Sequence, residues 1–209
     1  MKSNTWELDP KKFLPRKDAK KLMAVAKNRA ESAFAREKKT AVRDYFIIHL
    51  GLATGLRVME MAALNCGDLS TEDTLPSLLV KTGKGNKKRR VFFNGPFKQH
   101  CKEYLKWKQS IGESIEPGQP LLLSSNTGGH MTTRAIQKAF KRCARKADLP
   151  LHYSIHCLRH TYACFLLKAS NWNLRLVQKQ LGHARITTTQ VYADVMLPEI
   201  KRALDRLDI

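Results

Sequence analysis

The chain has 209 residues, 43% of them hydrophobic, and its 38 Lys and Arg exceed its 18 Asp and Glu to give a formal net charge of +20. That length and apolar content predict one large domain, or one domain with a short arm. So basic a chain is typical of proteins that bind a polyanion, of which nucleic acid is the commonest.

Cysteine usage and hydropathy argue against several other classes. Five cysteines, an odd number with no C-x-x-C pair, indicate a reducing compartment rather than a disulfide framework or a structural zinc site. His156, Cys157 and His160 share one helical turn and cannot close a tetrahedral shell, so we predict no metal and no cofactor. The N-terminus lacks the apolar run of a signal peptide, and no stretch approaches membrane-span length. We therefore expect a cytoplasmic protein that does not enter membranes.

The first part of the chain predicts an arm, helices and a hairpin. Residues 1–15 contain two prolines and are expected to form an extended arm. Apolar residues at helical spacing predict a helix over about 18–36 and a second over about 41–53, the latter apolar nearly all round and therefore buried. A further helix is expected to open at Arg57. Two strand-like runs between 75 and 94, joined by KGNK, predict an antiparallel hairpin.

The second part predicts helices with one interruption. Helical patterns cover about 96–110 and 132–147, and between them the segment PLLLSS, at 120–125, predicts a short strand followed by an NTGG turn. Three more helices are expected over about 154–168, 173–181 and 197–208. The chain therefore reads as mostly helical (α+β) with a small antiparallel sheet.

A site that breaks a phosphodiester without a metal has recognisable requirements. Negative charge develops on the nonbridging oxygens, so preorganised cations must lie there. Arginine suits this role best, because its planar guanidinium matches two phosphate oxygens and does not deprotonate. A general acid must protonate the leaving oxygen, and a base must accept the proton of the nucleophile.

Candidates with these properties occur along the chain at Arg57 in ATGLR, Lys84 in GKGNK, His156 and Arg159 in HCLRHT, His183 in LGH and Tyr192 in QVY. His156 and Arg159, three residues apart on one predicted helix, face the same way. Taken alone, each candidate has an ordinary structural reading: a surface charge, a turn lysine, a hydrogen-bonded core histidine or, for Tyr192, a half-buried aromatic.

The order of these motifs resembles the tyrosine recombinase (phage integrase) family, over about residues 16–200. ATGLRVMEMAAL resembles the first arginine box of the family, KTGKGNKKRRV its lysine hairpin and HCLRHTYA its H-x-L-R-H box. LGHARITTTQVYADV resembles the box that holds the last histidine and the nucleophilic tyrosine. The resemblance implies the family's catalytic-domain fold over residues 16–209, mostly helical with a small antiparallel three-stranded sheet.

The resemblance also implies a chemical role for each candidate. Tyr192 would attack the scissile phosphate and form a 3′-phosphotyrosyl bond, releasing a 5′-hydroxyl and conserving the bond energy for rejoining. Arg57 and Arg159 would bind the nonbridging oxygens. Lys84 would protonate the leaving 5′ oxygen.

The histidines and one carboxylate complete this assignment. His156 would accept the tyrosine proton, and His183 would hydrogen-bond the phosphate. Glu60, one turn after Arg57, would brace that arginine, although a plain surface carboxylate is an equally good reading. His160 is expected to support the fold of its helix rather than the chemistry.

Two basic segments are predicted to bind DNA. The helix that includes 135–146 has an apolar stripe and a basic remainder, which suits a major groove or a row of phosphates; a solvated basic face is the ordinary alternative. The hairpin is as densely charged and would add sequence-independent, salt-sensitive affinity. The predicted DNA contacts are Lys81, Lys87, Lys88, Arg89, Arg134, Lys138, Lys141, Arg142 and Arg145.

The arrangement of the chain also predicts its partners. Because about fifteen residues precede the first helix, we expect no separate N-terminal core-binding domain, as in the small one-domain invertases of the family. The apolar stripe of 197–208 either packs on its own domain or, as the resemblance implies, docks on a neighbouring protomer. The expected partners are double-stranded DNA, further copies of the chain in a dimer to tetramer, and accessory DNA-bending proteins.

Three functions fit this sequence. The first is a site-specific DNA recombinase of integrase or invertase type, the second a type IB topoisomerase-like enzyme that relaxes DNA, and the third a DNA-binding regulator without recombination. The full set of six candidate residues favours the two enzymes over the regulator. The expected location is the bacterial cytoplasm, at the nucleoid or in the service of a phage or mobile element.

Overall fold

The computed structural model describes residues 12–34, 39–81 and 88–194, and most of these are helical. The helices are α1 (Arg16–Phe34), α2 (Lys39–Thr54), α3 (Val58–Ala62), α4 (Gly95–Ser110), α5 (Thr133–Lys146), α6 (His156–Ala169), α7 (Leu174–Leu181) and α8 (Thr187–Asp194). The strands are β1 (Leu69–Ser70), β2 (Ser77–Val80) and β3 (Arg89–Phe92). The prediction of a mostly helical fold with a small antiparallel three-stranded sheet is confirmed.

Short polar side chains fix where several helices begin. The side-chain oxygens of Asn94, Thr132 and Asn173 each accept a backbone N–H from the first turn of α4, α5 and α7. Such caps satisfy donors that have no partner within the helix. α7 ends at Gly182, whose φ of 66° turns the chain sharply toward His183. The sequence LGH therefore places a histidine directly after a helix end.

The sheet is a hairpin with one added strand. β2 lies in the centre and pairs antiparallel with both β1 and β3, with Ser77 opposite Phe92 and Val80 opposite Arg89. This confirms the predicted hairpin; its KGNK turn lies outside the described residues. Leu78 and Val91, which are paired, are both fully buried and hold one face of the sheet against the core.

The main core surrounds α2. Phe46, Ile47, Ile48 and Leu50 are each 0% exposed, which confirms the prediction that this helix is buried on nearly all sides. α1, α4, α5 and α6 pack around it. The five cysteines are all free and buried. Among the described helices, none combines the length and the apolar character needed to cross a membrane.

A second, smaller core positions the segment that carries Tyr192. α6, α7 and α8 enclose it, with Tyr162, Leu167, Val177 and Leu181 buried beside Tyr192. The N-terminal arm reaches the same helices, because Leu14 is fully buried and its backbone N–H donates to Thr161 Oγ1 at 2.8 Å. The rest of the arm, up to residue 11, lies outside the described residues.

Two sequence predictions need correction. The segment 120–125 is not a strand: it makes only isolated bridges, at Pro120 and at Leu123. The alternation of a half-buried strand is absent, because the consecutive Leu121 and Leu122 are both buried. α8 was not predicted at all, since its three threonines have low helix propensity and tertiary packing overrides it. The helix predicted at 197–208 lies outside the described residues.

Candidate active site

Arg159 joins three distant segments of the chain at one point. It lies on α6 and is only 6% exposed. Its Nη1 donates to the carbonyl of Gly55 at 2.6 Å, and its Nη2 donates to the carbonyl of Leu181 at 2.9 Å. Nη2 also lies 3.0 Å from Nε2 of His183. Burial and the like charge of Arg57 lower the pKa of Arg159 to about 10, so the guanidinium is still charged at neutral pH.

Arg57 stands at the start of α3 and is braced by Glu60. Its backbone N–H donates to Glu60 Oε2 at 2.8 Å and its Nη1 donates to Oε1 at 3.1 Å. The Arg57 side chain is 44% exposed, whereas that of Glu60 is 3% exposed. The expected contact between them is therefore present, and a buried carboxylate holds a guanidinium that is partly exposed to solvent. Burial alone would raise the pKa of Glu60, but hydrogen bonds from Arg89 and Arg57 lower it below the usual value.

His183 is held in one tautomer by its neighbours. A guanidinium can only donate, so Nε2 of His183 accepts from Arg159 and is unprotonated. The ring proton then lies on Nδ1, which donates to Thr189 Oγ1 at 3.0 Å. Burial, followed by the charges of Arg159 and Arg57, lowers the pKa of His183 to about 4. Thr189 was not singled out from the sequence, because nothing in a run of three threonines distinguishes the one that faces the histidine.

The phenol of Tyr192 is buried beside these groups. The residue is 3% exposed, and its Oη lies 3.2 Å from Nδ1 of His160. Burial, followed by the charges of Arg159 and His156, lowers the pKa of His160 to about 4, so its ring is neutral. Its Nδ1 can therefore accept a hydrogen bond from the phenol of Tyr192. Burial raises the pKa of Tyr192 above its usual value, although Arg159 opposes the shift. This contact was not predicted, since His160 was expected to support its helix.

The other predicted catalytic residues are less closely joined. His156, expected to accept the tyrosine proton, is exposed at the first residue of α6, one turn before His160. Lys84, expected to act as the general acid, lies outside the described residues, as does Lys87. The structure thus gathers Arg57, Arg159 and His183 near the phenol of Tyr192, and these four residues come from three separate boxes of the sequence.

Eight of the nine predicted DNA contacts lie within the described residues, and they fall into two groups. Lys88, Arg134, Lys138 and Arg145 are exposed. The others are engaged within the protein: Lys81 with Asp68 at 2.6 Å, Lys141 with the carbonyls of Leu151 and Tyr153, Arg142 with Asp44 at 2.6 Å, and Arg89 with Glu60 at 2.8 Å.

The described residues contain no group of three or more His, Cys, Asp or Glu side chains arranged to hold a metal ion. The charged centre of the site consists instead of guanidinium groups and one buried carboxylate, which is an arrangement suited to an anion.

Comparison with known proteins identifies the family. The model of the phage integrase family matches residues 12–197. The chain belongs to this family. Among its curated relatives, the tyrosine recombinase XerC of Vibrio campbellii is 35% identical over 167 residues, and XerC of Neisseria meningitidis is 35% identical over 165 residues. Each match covers 79% of this chain and 51% of the relative, so the chain spans about half the length of the curated relatives it matches.

Solved structures agree with the fold of this family. The crystal structure of XerA recombinase superposes with a TM-score of 0.73 at 24% identity, covering 94% of this chain and 66% of that one. The XerH site-specific recombinase, bound to its difH substrate before cleavage, superposes with a TM-score of 0.75 at 23% identity, covering 97% of this chain and 55% of that one. The described residues therefore form a tyrosine recombinase catalytic domain of the phage integrase family.

Proposed function

We propose that this chain is a site-specific DNA recombinase that breaks and rejoins strands through a 3′-phosphotyrosyl intermediate. The observation that carries the proposal is the convergence of Arg57, Arg159, His183 and Tyr192, from three separate boxes of the sequence, on one site. Two guanidinium groups beside a phenol are what a metal-independent attack on a phosphodiester requires.

In the proposed step, the phenol oxygen of Tyr192 forms a bond to phosphorus while the bond from phosphorus to the 5′ oxygen breaks. The phenol proton leaves to a base, and the 5′ oxygen takes a proton from an acid, for which we propose Lys84. The phosphodiester energy is kept in the tyrosyl ester. A 5′-hydroxyl from another strand then reverses the step and restores the backbone.

The proposed roles of the arginines follow from their settings. Arg159 is fixed by two backbone carbonyls, so its position costs no reorganisation when charge develops on the phosphate. Arg57 is half open and braced from behind by Glu60, so its remaining donors face the side from which DNA would approach. His183 contacts Arg159 and so lies where it would meet the same phosphate. For it to donate there, Nε2 must be protonated or the ring must change tautomer.

Two histidines, His160 and His156, are candidates to accept the proton of Tyr192. His160 contacts the phenol, but burial lowers the pKa of the His160 ring to about 4 and raises the pKa of the phenol above its usual value. Both shifts oppose full transfer of the phenol proton to His160 in this arrangement. We therefore propose that His160 holds the phenol in its protonated form. We retain exposed His156, one turn away, as the base once DNA is bound.

We further propose that the partner is double-stranded DNA and that cleavage takes place in a dimer or tetramer on DNA. The support for DNA is the net charge of +20 together with the exposed Arg134, Lys138 and Arg145. Docking of the segment 197–208 on a neighbouring protomer and the help of DNA-bending proteins are parts of the same proposal. So is a location in the bacterial cytoplasm.

A suicide substrate tests the proposal. A duplex with a nick just 3′ of the scissile phosphate loses its short 5′-hydroxyl fragment and traps the covalent adduct. The wild-type chain should form this adduct in EDTA, Tyr192→Phe should form none, and both should bind DNA alike. Tyr162→Phe, at another buried tyrosine of the same core, is the matched control and should still form the adduct. An adduct in the Tyr192→Phe variant, or strict dependence on Mg²⁺, would contradict the assignment.

Two further assays separate the functions that share this chemistry. Exchange between two sites on different DNA molecules identifies a recombinase, whereas relaxation of a supercoiled plasmid without exchange identifies topoisomerase-like activity. For Lys84, the variant Lys84→Ala should cleave about 10²–10⁴-fold more slowly than the wild type. A substrate with a bridging 5′ sulfur, which leaves without a proton, should restore its rate. Failure of that rescue would assign Lys84 to another role.

A further inference from the structure

Arg89 lies inside the domain, although its place in a run of basic residues predicts a DNA contact. Its side chain is 15% exposed. Nη1 and Nη2 donate to the two oxygens of Glu60, at 2.8 and 3.0 Å. The third guanidinium nitrogen, Nε, donates to the backbone carbonyl of Gln180 at 3.3 Å. The fork of this guanidinium is therefore used to join β3 to α3 and to the end of α7.

The carboxylate of Glu60 is saturated only when Arg89 is present. Oε1 accepts from Arg57 Nη1 and Arg89 Nη1, and Oε2 accepts from the Arg57 backbone N–H and Arg89 Nη2. A carboxylate has about four lone-pair positions, and all four are thereby filled. Without Arg89, the carboxylate could rotate about its own axis, and Arg57 would lose a fixed anchor.

The turn before His183 is shaped around Arg89 as well. Gly182 has φ of 66°, and a Cβ added there would lie 2.7 Å from both Cδ and Nε of Arg89. A glycine at this position thus allows the guanidinium to pass directly under the turn. On the same side, the side chain of Gln180 accepts the backbone N–H of Phe92 at 3.1 Å. β3 and the turn leading to His183 are held together at two points.

From these contacts we infer that Arg89 is a positioning residue of the active site, which acts through Glu60 on the guanidinium of Arg57. The inference rests on the proposed function, in which Arg57 binds the scissile phosphate. It assigns Arg89 to the chemistry of cleavage rather than to DNA affinity. The negative charge of Glu60 supports this inference, because the same buried carboxylate forms ion pairs with both Arg57 and Arg89.

The test compares Arg89 with its neighbour Arg90. Arg90 is exposed on the same strand and contacts Ser77 rather than Glu60, so Arg90→Gln is a matched control for charge. Arg89→Gln should form the covalent adduct about tenfold to hundredfold more slowly. A loss of this size is usual when a residue that orients a directly binding side chain is removed. Binding of the uncleaved site should stay within about twofold of the wild type. At DNA concentrations that saturate binding, Arg90→Gln should change neither the rate nor the yield of the adduct.

A double-mutant cycle distinguishes positioning from a general loss of structure. In the Arg57→Ala background, the addition of Arg89→Gln should cause no further loss of rate, since the residue acts through Arg57. A loss as large as in the wild-type background would overturn the inference. Arg89→Lys keeps the charge and is the second variant if Arg89→Gln is unstable; it should also be slow, because an ammonium cannot bridge both oxygens of Glu60. A normal rate for it would overturn the inference too.

The same experiment separates this inference from the proposed function. If the wild-type chain forms no adduct at Tyr192, the proposed function fails. If the wild-type chain forms the adduct and Arg89→Gln forms it at the rate of Arg90→Gln, the proposed function stands and Arg89 has no positioning role.

Discussion

Replacing Gly55 by alanine should destabilise the fold at the point where Arg159 is anchored. Gly55 has φ of 61°, and an added Cβ would lie 2.3 Å from Cδ1 of Tyr162 and 3.0 Å from Cδ2 of Leu181. The left-handed backbone costs an alanine about 1–2 kcal/mol, and an extra methyl in a packed core costs about 1–3 kcal/mol. The free energy of unfolding should therefore fall by about 2–5 kcal/mol. That is a large part of the 5–15 kcal/mol, roughly, that is typical of a folded protein.

Gly112→Ala is the matched control for the backbone alone. Its φ is 76°, and no heavy atom of the described residues beyond its chain neighbours lies within 4 Å of the added Cβ. This variant should lose only about 1–2 kcal/mol. Urea denaturation followed by circular dichroism gives both values. Gly55→Ala should also slow adduct formation, since the Gly55 carbonyl accepts from Arg159 at 2.6 Å. Equal losses of stability in the two variants would refute the steric reasoning.

Three more predictions concern pH, DNA affinity and assembly. Burial lowers the pKa of His49 to about 4 and that of His100 to about 3, so the unfolded chain binds more protons than the folded one below about pH 6.5. The urea concentration at the unfolding midpoint should therefore decrease when the pH is lowered from 7.5 to 5. A constant midpoint would contradict these shifts. Arg134→Ala combined with Lys138→Ala should reduce the slope of log affinity against log salt by up to about 1.8, at about 0.9 per phosphate contact; an unchanged slope would move the DNA interface away from α5. Deletion of 198–209 should leave half-site binding intact and reduce cooperative binding to two full sites, and gel-shift titration will show whether cooperativity persists.

The sequence predicted the elements that depend on local pattern and burial. α2 was identified as a buried helix because hydrophobic residues cover nearly its whole circumference, and Phe46 and Ile47 are indeed fully buried. The hairpin was predicted from two strand-like runs joined by KGNK, whose glycine and asparagine suit a hairpin turn. α8 was missed because Thr187 and its two neighbours have no helical preference of their own. It is helical because it packs on α6 and α7.

The ion-pair partners of basic residues could not be predicted from the sequence. Arg89 and Arg142 look like DNA contacts in the sequence, yet their carboxylate partners Glu60 and Asp44 stand 29 and 98 positions away. Charge is visible in a sequence, but the presence of a counter-charge depends on the fold. The same limit applied to His160, because its separation from Tyr192 along the chain gives no sign that the two side chains form a hydrogen bond.

The buried phenol of Tyr192 implies that cleavage must begin with a movement. To reach a phosphate, its Oη has to leave His160, at a cost of about 0.5–1.5 kcal/mol for the hydrogen bond, and its ring has to leave the core, at about 1.5–3 kcal/mol. A total of roughly 2–4.5 kcal/mol leaves the nucleophile exposed in about one molecule in 30 to one in 2000, at tenfold per 1.4 kcal/mol. Stray cleavage by the free chain should then be rare. His160→Ala removes one of the two costs and should make Tyr192 more reactive toward tetranitromethane, which nitrates exposed tyrosines. Half-buried Tyr45, on α2, serves as the internal reference. Unchanged nitration of Tyr192 would mean that burial alone, and not His160, holds the phenol in place.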